Sequence, residues 1–295
     1  MFNGNNDIII ALQKLESIFL DFFFNAISFL GEEFVYIAIL SGLYWVYNKK
    51  MGEFIGVTLG ISFSLNTFFK EIFSKPRPFE TSSEIINKRP GTSTGHSMPS
   101  GHAQGAATFY LSTALAIKKH FIIVIAGIII TLMMISRMYL GVHYLEDVLV
   151  GAIIGIILSI GSYYLFYKKS LSDQTLHKIY LGIIILFLPV AVIYLNTDSA
   201  NDFYKGYGIM IGIMSGVMIE KRWISFQINK PLNIKMIRYI IGVISLSFVL
   251  IITGFMKDLW IESTSLINLF DIFRYGFLGV LGFGLYPYIF TKLNF

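Results

Sequence analysis

The residues best suited to chemistry in this sequence are two histidines, His102 and His143, which lie in separate polar clusters of an otherwise apolar chain. Asp147 follows His143 by four residues, so the two side chains share one face of a helix if that helix begins near His143. A carboxylate in that position fixes the imidazole tautomer and stabilises the charged ring, which prepares His143 as a nucleophile. His102 comes from another segment and is placed to protonate a leaving oxygen as a general acid. The pattern indicates group transfer through a covalent histidine intermediate.

Three basic residues, Lys70, Arg77 and Arg137, accompany the histidines and indicate that the transferred group is an anion. Guanidinium groups are suited to phosphate oxygens. The stretch Pro99-Ser100-Gly101-His102 is typical of a helix start, where proline is tolerated and glycine lets a phosphate approach the backbone. The free N–H groups and the positive end of the helix dipole would then face the anion. Together these residues predict a phosphate site.

Each of these features also has a structural interpretation when it is taken alone. Lys70 and Arg77 are more often basic residues at a membrane interface, Pro-Ser-Gly is more often a plain helix start, and a single His-x3-Asp is more often a capping pair. The functional interpretation prevails because all three clusters are predicted at helix ends on the same side of the molecule. Helix ends on one side of a bundle converge, so the clusters can build one pocket.

The elements that position these residues are membrane helices. The chain has 295 residues, of which 55% are hydrophobic and only 14% are charged, and its mean hydropathy is +0.68. Soluble domains carry about 25% charged residues, and a disordered chain would carry far less apolar mass. The absence of cysteine excludes a disulfide framework and thiolate chemistry. The net charge of +5 is scattered between apolar runs, so no nucleic-acid partner is predicted.

A helix needs roughly 20 apolar residues to cross the hydrocarbon core. Nine runs qualify or nearly qualify: Phe34–Tyr47, Phe54–Phe73, His102–Ile117, Phe121–Leu140, Asp147–Tyr167, Ile179–Leu195, Tyr204–Ile219, Ile237–Phe255 and Leu269–Phe290.

The N-terminal stretch from Ile8 to Leu30 has a different pattern. Its polar residues recur every three or four positions and form a stripe along one helical face: Lys14, Ser17, Asp21, Asn25 and Ser28. An isolated span with that stripe would place Asp21 in hydrocarbon, which is costly. We therefore expect an amphipathic helix at the membrane interface rather than a packed transmembrane helix.

The three clusters read Lys70-x6-Arg77-Pro78, Pro99-Ser100-Gly101-His102 and Ser136-Arg137-x5-His143-x3-Asp147. They resemble the complete three-part signature of the type 2 phosphatidic acid phosphatase (PAP2) superfamily, because every fixed position of that signature is matched. The resemblance covers about residues 34–167, and the flanking Leu30-Gly31-Glu32-Glu33-Phe34 and Leu43-Tyr44-Trp45 resemble the sphingosine-phosphate phosphatase branch. It implies an all-α polytopic membrane bundle with a six-helix core and extra C-terminal transmembrane helices. The expected segments are residues 1–33 (interfacial or first membrane helix), 34–170 (catalytic core) and 171–295 (additional helices).

The resemblance also implies a role for each matched residue. His143 would attack phosphorus and form a phosphohistidine, Asp147 would hold its imidazole, and His102 would donate a proton to the departing group. The residues that would bind the phosphoryl oxygens are Lys70, Arg77, Ser100, Gly101 and Arg137. Pro78, Pro99 and Ser136 would support them. No metal and no other cofactor is expected.

The predicted function is hydrolysis of a lipid phosphate or diphosphate, with undecaprenyl diphosphate, phosphatidic acid, phosphatidylglycerol phosphate and a sphingoid-base phosphate as candidate substrates. One alternative is a lipid phosphotransferase that uses the same histidine. Another is a lipid transporter or flippase, in which Asp271 or Arg274 would belong to a pathway. Such a protein would explain the helices after the core but would leave the histidine clusters without a purpose.

Lys and Arg are slightly more frequent in alternate loops starting from Asn48–Lys50, so those loops are predicted to be cytoplasmic. The active site would then face the outside of the membrane, which we expect to be a bacterial cytoplasmic membrane. The predicted partners are the bilayer and a lipid phosphate.

The remaining histidines and basic loop residues are expected to be incidental. His96 is expected to be a loop histidine, and His120 and His177 are expected at the cytoplasmic interface. Lys75, Lys88 and Arg89 are expected to be solvated loop charges, although they could steer an anionic substrate. The outer segment Lys257–Ser263, which includes Trp260, could cover the pocket, but an interfacial tryptophan is the simpler interpretation.

Overall fold

The computed structural model describes residues 6–93 and 95–293, and within these ranges the chain is helical without any strand. The helices are α1 (Asn6–Gln13), α2 (Ile18–Phe29), α3 (Glu33–Gly42), α4 (Lys49–Phe73), α5 (Pro78–Thr81), α6 (Gly101–Ile117), α7 (His120–Tyr139), α8 (Leu145–Tyr163), α9 (Asp173–Ile193), α10 (Asn201–Ile219), α11 (Leu232–Trp260), α12 (Thr264–Val280) and α13 (Tyr286–Lys292). Wider π-helical turns follow α3, α8, α10 and α12. The predicted all-α class is confirmed.

Fewer helices meet a strict membrane-span criterion than the nine predicted from hydropathy. Five segments of the described chain are long and apolar enough: His120–Tyr139, Leu145–Lys168, Asp173–Ile193, Leu232–Trp260 and Thr264–Lys292. A sixth arises if Ile18–Phe29 and Glu33–Tyr47, which are bent by 51°, form one broken span. α4 and α6 are not among these segments, and α6, with 17 residues, is too short to qualify. Apolar runs alone do not distinguish a lipid-facing helix from one buried inside protein.

The chain forms two compact units. The first contains residues 1–36 and 65–163, and the second contains residues 37–64 and 164–295, with α4 contributing to both. The predicted divisions after residues 33 and 170 stay predictions. Residues 1–5 and 294–295 of the outer predicted segments lie outside the described residues. All the residues of the three polar clusters belong to the first unit.

Close packing of α6 against α8 sets the frame of the first unit. A methyl group added to Gly151 would lie 2.6 Å from the carbonyl oxygen of Ser100, and one added to Gly155 would lie 2.6 Å from that of Gln104. Only glycine permits this approach, which brings the start of α6 against the first turns of α8. A core cluster that includes Ala103 and Val148 fills the contact. The two polar clusters at these helix starts are therefore held together by backbone packing.

The N-terminal stretch corrects the prediction of one amphipathic helix from Ile8 to Leu30. It forms two helices, α1 and α2, because the chain turns at residues 14–17 and Ser17 caps α2. The polar stripe of α2 faces the first unit. Asp21 accepts hydrogen bonds from Tyr139 (2.6 Å) and Lys88 (2.9 Å), and Ser28 is fully buried. The part of the stripe on α2 thus has polar protein partners at Asp21 and a buried position at Ser28, whereas Lys14 and Ser17 are exposed.

The second unit has its own buried polar core. Asp271 of α12 is fully buried and accepts a hydrogen bond from Asn201 (2.8 Å). It also forms ion pairs with Lys257 (3.1 Å) and Arg274 (3.6 Å). The two residues singled out for a transport pathway, Asp271 and Arg274, are therefore partners of each other in this unit.

Candidate active site

His143 and Asp147 meet at the junction of α7 and α8. His143 lies in the short connection between these helices, and Asp147 lies in the first turn of α8. The His143 Nδ1 atom is 3.7 Å from Asp147 Oδ2. Ser97 Oγ lies 3.4 Å from the same Nδ1 and donates to Asp147 Oδ2 at 2.5 Å. Asp147 and Ser97 thus occupy the Nδ1 side of the ring, so a reaction at this histidine would use Nε2.

The Asp147 carboxylate is held by several donors besides Ser97. The backbone N–H of Tyr144 donates to Oδ2 at 2.8 Å, and Lys75 Nζ lies 2.9 Å from Oδ1. Lys75 also pairs with Glu146 at 2.5 Å and lies over the Tyr144 ring at 4.0 Å. A carboxylate with this many partners has a fixed orientation, so it can orient the imidazole in turn.

The expectation that Lys75 is a solvated loop charge was wrong. Its side chain is 3% exposed, because the turn after α4 folds toward the start of α8. Ser97 was missed altogether in the sequence. In the sequence, each of these two residues is marked by its proximity to a matched motif. Lys75 precedes Arg77 by two residues, and Ser97 precedes Pro99 by two.

The three basic residues of the predicted phosphate site are all buried. Arg77 is 2% exposed, and its guanidinium donates to the carbonyl oxygens of Gly95 (2.9 Å) and Val142 (3.0 Å). Arg137 is fully buried and donates to Ser28 Oγ at 2.6 Å. Lys70 lies in the last turn of α4 and is 8% exposed. Carbonyl and hydroxyl partners orient the two guanidinium groups without neutralising their charge.

One buried donor of Arg137 has no acceptor among the described residues, namely its Nε–H group. An unsatisfied buried donor costs about 1–3 kcal/mol, more for a charged group, so such groups are rare in a folded chain. A bound phosphate oxygen would satisfy it. This atom gives the first unit an unused anion donor in the same side chain that the sequence motif singles out.

The helix start at Ser100 is as predicted, and the structure shows how it is held. Ser100 is the N-cap of α6: its hydroxyl accepts from the N–H of Ala103, and its own N–H donates to the carbonyl of Asp147 at 2.9 Å. Asn66 donates to the carbonyl of Pro99 at 3.2 Å. The hydroxyl and N–H of Ser100 therefore have protein partners. The N–H groups of the first turn, beginning with Gly101, have no acceptor within the helix.

The supporting residues have local structural contacts. Pro78 is the first residue of α5 and is buried. Ser136 donates to the carbonyl of Phe24 at 2.7 Å and so joins α7 to α2. Beside it, Phe24 packs on Tyr139 with ring centroids 4.5 Å apart. Ser136 thereby steadies the helix turn that carries Arg137.

His102, the second residue of α6, meets a carboxylate that sequence analysis did not assign to the site. Its Nε2 atom is 3.4 Å from Glu32 Oε1, and the same oxygen pairs with Arg89 at 2.8 Å. Arg89 is therefore not a solvated loop charge, and neither is Lys88, which pairs with Glu16 (2.7 Å) and Asp21 (2.9 Å). The only available signal for Glu32 was its place in the flanking stretch that resembles the sphingosine-phosphate phosphatases.

Burial governs the protonation of His143. Removal from water lowers the pKa of His143 well below its usual range, and the charges of Arg77 and Arg137 act in the same direction. Asp147 opposes this shift and does not outweigh it. This direction favours the neutral imidazole, which is the form that a nucleophilic histidine requires.

The other histidines lie at different places. His96 is half-buried and follows Gly95 in the chain, whose carbonyl oxygen accepts a hydrogen bond from Arg77. His120 is the exposed first residue of α7. His177 is on α9 in the second unit, as is the Lys257–Ser263 segment, in which Trp260 is 80% exposed. A covering role for that segment stays a prediction.

Comparison with known families agrees with the signature. Residues 54–171 match the PAP2 superfamily, and residues 204–295 match the transmembrane extension of PAP2 superfamily phosphatases. The chain belongs to the PAP2 superfamily, as its resemblance predicted. The helices after the core, which sequence analysis left without a role, coincide largely with that extension.

Individual proteins give the same family. The chain is 28% identical over 249 residues to a protein named probable sphingosine-1-phosphate phosphatase from Dictyostelium discoideum, covering 76% of this chain and 59% of that protein. It is 32% identical over 131 residues to phosphatidylglycerophosphatase B of Bacillus subtilis, covering 41% of this chain and 61% of that protein. The crystal structure of Aquifex aeolicus LpxE superposes with a TM-score of 0.50 at 28% identity, covering 56% of this chain and 97% of that chain. This chain thus spans about three fifths of the length of these two curated relatives.

Proposed function

We propose that this integral membrane protein is a phosphatase that hydrolyses a lipid phosphate through a phosphohistidine at His143. The observation that carries the proposal is a buried imidazole whose Nδ1 side is occupied by Asp147 and Ser97. It belongs to the same compact unit as three buried basic side chains, Lys70, Arg77 and Arg137.

In the first step, Nε2 of His143 attacks phosphorus while the bond from phosphorus to the ester oxygen breaks. The leaving oxygen takes a proton from His102, and the departing product is an alcohol, or a lipid monophosphate if the substrate is a diphosphate. Developing charge on the phosphoryl oxygens is stabilised by Lys70, Arg77, Arg137 and the N–H groups at the start of α6. Asp147 stabilises the imidazolium character that develops on His143.

In the second step, water attacks phosphorus and the bond from phosphorus to Nε2 breaks. His102 now accepts the proton of the water, which restores its charged form for the next turnover. The product of this step is inorganic phosphate for either kind of substrate. The catalytic charges come from the protein's own basic side chains, so we expect chelators to leave the rate unchanged.

The substrate class follows from the membrane setting and from the names of the relatives. Sphingosine 1-phosphate and phosphatidylglycerophosphate share a phosphate monoester on a lipid. We propose a lipid phosphate or diphosphate, with phosphatidic acid and undecaprenyl diphosphate as further candidates. The slight excess of basic residues in alternate loops supports a site on the outer face of a bacterial cytoplasmic membrane.

The test is phosphate release by purified protein in detergent, with EDTA present, from these four lipids. We expect release by the wild type and loss of about 10⁴-fold or more in His143→Ala. His120→Ala, which changes an exposed histidine at the start of α7, is the matched control and should retain full activity. Unchanged activity in His143→Ala would exclude the phosphohistidine route. Release that requires an added acceptor lipid would instead identify a phosphotransferase.

A further inference from the structure

The corner between α2 and α3 supplies a carboxylate to the second histidine. Glu32 lies directly before α3, and its Oε1 atom is 3.4 Å from Nε2 of His102. The side chains of Glu32 and His102 are 19% and 17% exposed, so the pair is largely shielded from water. The mechanism proposed above uses His102 but gives Glu32 no task.

The Glu32 carboxylate is fixed from both sides. Arg89 donates to Glu32 at 2.8 Å and to the backbone and side-chain oxygens of Asn25, each at 3.2 Å. Tyr110 donates to the carbonyl of Leu30 at 2.9 Å, which ties the corner to α6. A methyl group added to Gly31 would lie 3.0 Å from Cδ2 of His102, so the corner packs directly on the imidazole ring.

The charges around His102 show why a carboxylate matters there. The charged groups that face it are Glu32 from the α2–α3 corner, Arg89 from the loop after α5 and Arg137 from α7. Burial lowers the pKa of the His102 ring, both arginines act in the same direction, and Glu32 is the one of these three charged groups that opposes the shift. A general acid must carry its proton when the ester bond breaks.

We infer that Glu32 is a positioning residue for His102: it accepts the Nε2–H and leaves Nδ1 to protonate the leaving oxygen. This inference rests on the proposed function. Glu32 serves the general acid as Asp147 serves the nucleophile, so each histidine has one carboxylate partner. The step adds no new reactant, because the proton that leaves His102 in the first step returns from water in the second.

The experiment compares two substrates of the purified protein. A lipid alkyl phosphate has a leaving oxygen that needs a proton, whereas the phenolate of p-nitrophenyl phosphate departs without one. We expect Glu32→Gln to lower kcat about 100-fold for the alkyl phosphate and only slightly for the aryl phosphate. His102→Ala serves as the reference for this pattern. Glu33→Gln is the matched control, since it removes the same charge from the adjacent, exposed position.

The pH dependence gives a second readout that a purely structural role would not produce. Loss of the carboxylate in Glu32→Gln should move the basic limb of the kcat profile to lower pH, because His102 loses its proton more easily. Arg89→Gln removes an opposing cation and should move the same limb to higher pH. Opposite shifts from two changes in one ion pair support the assignment even if one variant is less stable.

Equal losses of kcat on both substrates in Glu32→Gln would overturn the inference, and so would behaviour identical to that of Glu33→Gln. In either case, activity of the wild type would still support the proposed function. Silence of the folded wild type on both substrates would overturn the proposed function itself, and the inference with it.

Discussion

Each compact unit contains a buried ionic cluster, and the two clusters differ in how completely their charges are satisfied. In the second unit, Asp271 accepts from Asn201 and pairs with Lys257 and Arg274. In the first unit, Asp147 is equally well satisfied, and the same unit also holds the buried basic side chains Lys70, Arg77 and Arg137. Arg137 there keeps an Nε–H group that has no acceptor among the described residues.

This difference separates a structural cluster from a functional one. An ionisable residue inside a membrane protein is a functional candidate by default. Asp271 and Arg274 meet that criterion from sequence alone, but their contacts are those of a closed polar core. The first unit instead has three buried basic side chains, Lys70, Arg77 and Arg137, and Arg137 keeps an unused donor, which are the features that an anionic substrate would complete.

The largest expected effect concerns the two buried aspartates, Asp147 in the first unit and Asp271 in the second. Asp147→Asn keeps the shape of the side chain but removes the charge that faces His143, so we expect kcat to fall by about 10⁴-fold. Asp271→Asn is the matched change in the second unit and should leave kcat unchanged while lowering the midpoint of thermal unfolding. Both are measured by lipid phosphate release and by thermal unfolding in the same detergent. A comparable loss of kcat in a folded Asp271→Asn protein would assign the second unit to catalysis.

The next effect concerns the unused donor. Arg137→Lys keeps the positive charge but removes the planar guanidinium and its Nε–H group. We expect kcat to fall by about 10²-fold, which is the cost of removing one donor to a transition-state oxygen. Arg274→Lys is the control in the second unit and should affect stability rather than rate. A rate in Arg137→Lys equal to that of the wild type would show that a point charge suffices there.

Lys75 tests the support of the nucleophile's carboxylate. Lys75→Met leaves Asp147 buried without its ion-pair partner, which should destabilise the fold by about 3 kcal/mol. We expect a smaller loss of kcat than in Asp147→Asn, because Ser97 and the N–H of Tyr144 still hold the carboxylate. Lys257→Met should lower stability without any loss of kcat. The prediction fails if Lys75→Met is as stable as the wild type.

The core of the active site could be predicted because its residues follow simple sequence rules. His143 and Asp147 are four positions apart at a helix start, and Ser100 lies directly before the glycine that begins α6. Their partners could not be predicted in the same way. Lys75 reaches Asp147 across 72 positions, and Glu32 reaches His102 across 70. No local spacing reports such contacts, because the turn after α4 and the α2–α3 corner arrive through tertiary packing.

The N-terminal helix and the number of spans show a second limit. The spacing of the polar residues correctly indicated a helix over α2, but spacing does not identify what a polar face contacts. Asp21 accepts hydrogen bonds from Tyr139 and Lys88, which its spacing in the sequence does not report. Likewise, many residues of α4 and α6 are buried in protein, and a hydropathy window counts apolar residues whether they face protein or lipid.

The smallest expected effect concerns protonation of His143. Its pKa lies well below the usual value because burial disfavours the charged ring. The neutral nucleophile therefore persists when the pH falls from 7.5 to 6, where an ordinary histidine would begin to gain a proton. ¹⁵N NMR of histidine-labelled protein checks this, with His143→Asn identifying the resonance, and the signal should keep the neutral pattern at pH 6. Because the pKa of His143 is lower in the folded protein, the unfolded chain binds this proton at a higher pH than the folded protein does. The free energy of unfolding should therefore decline as the pH falls below about 6.5. An imidazolium signal for His143 at pH 6 would contradict the prediction that burial lowers the pKa of this residue below that of an ordinary surface histidine.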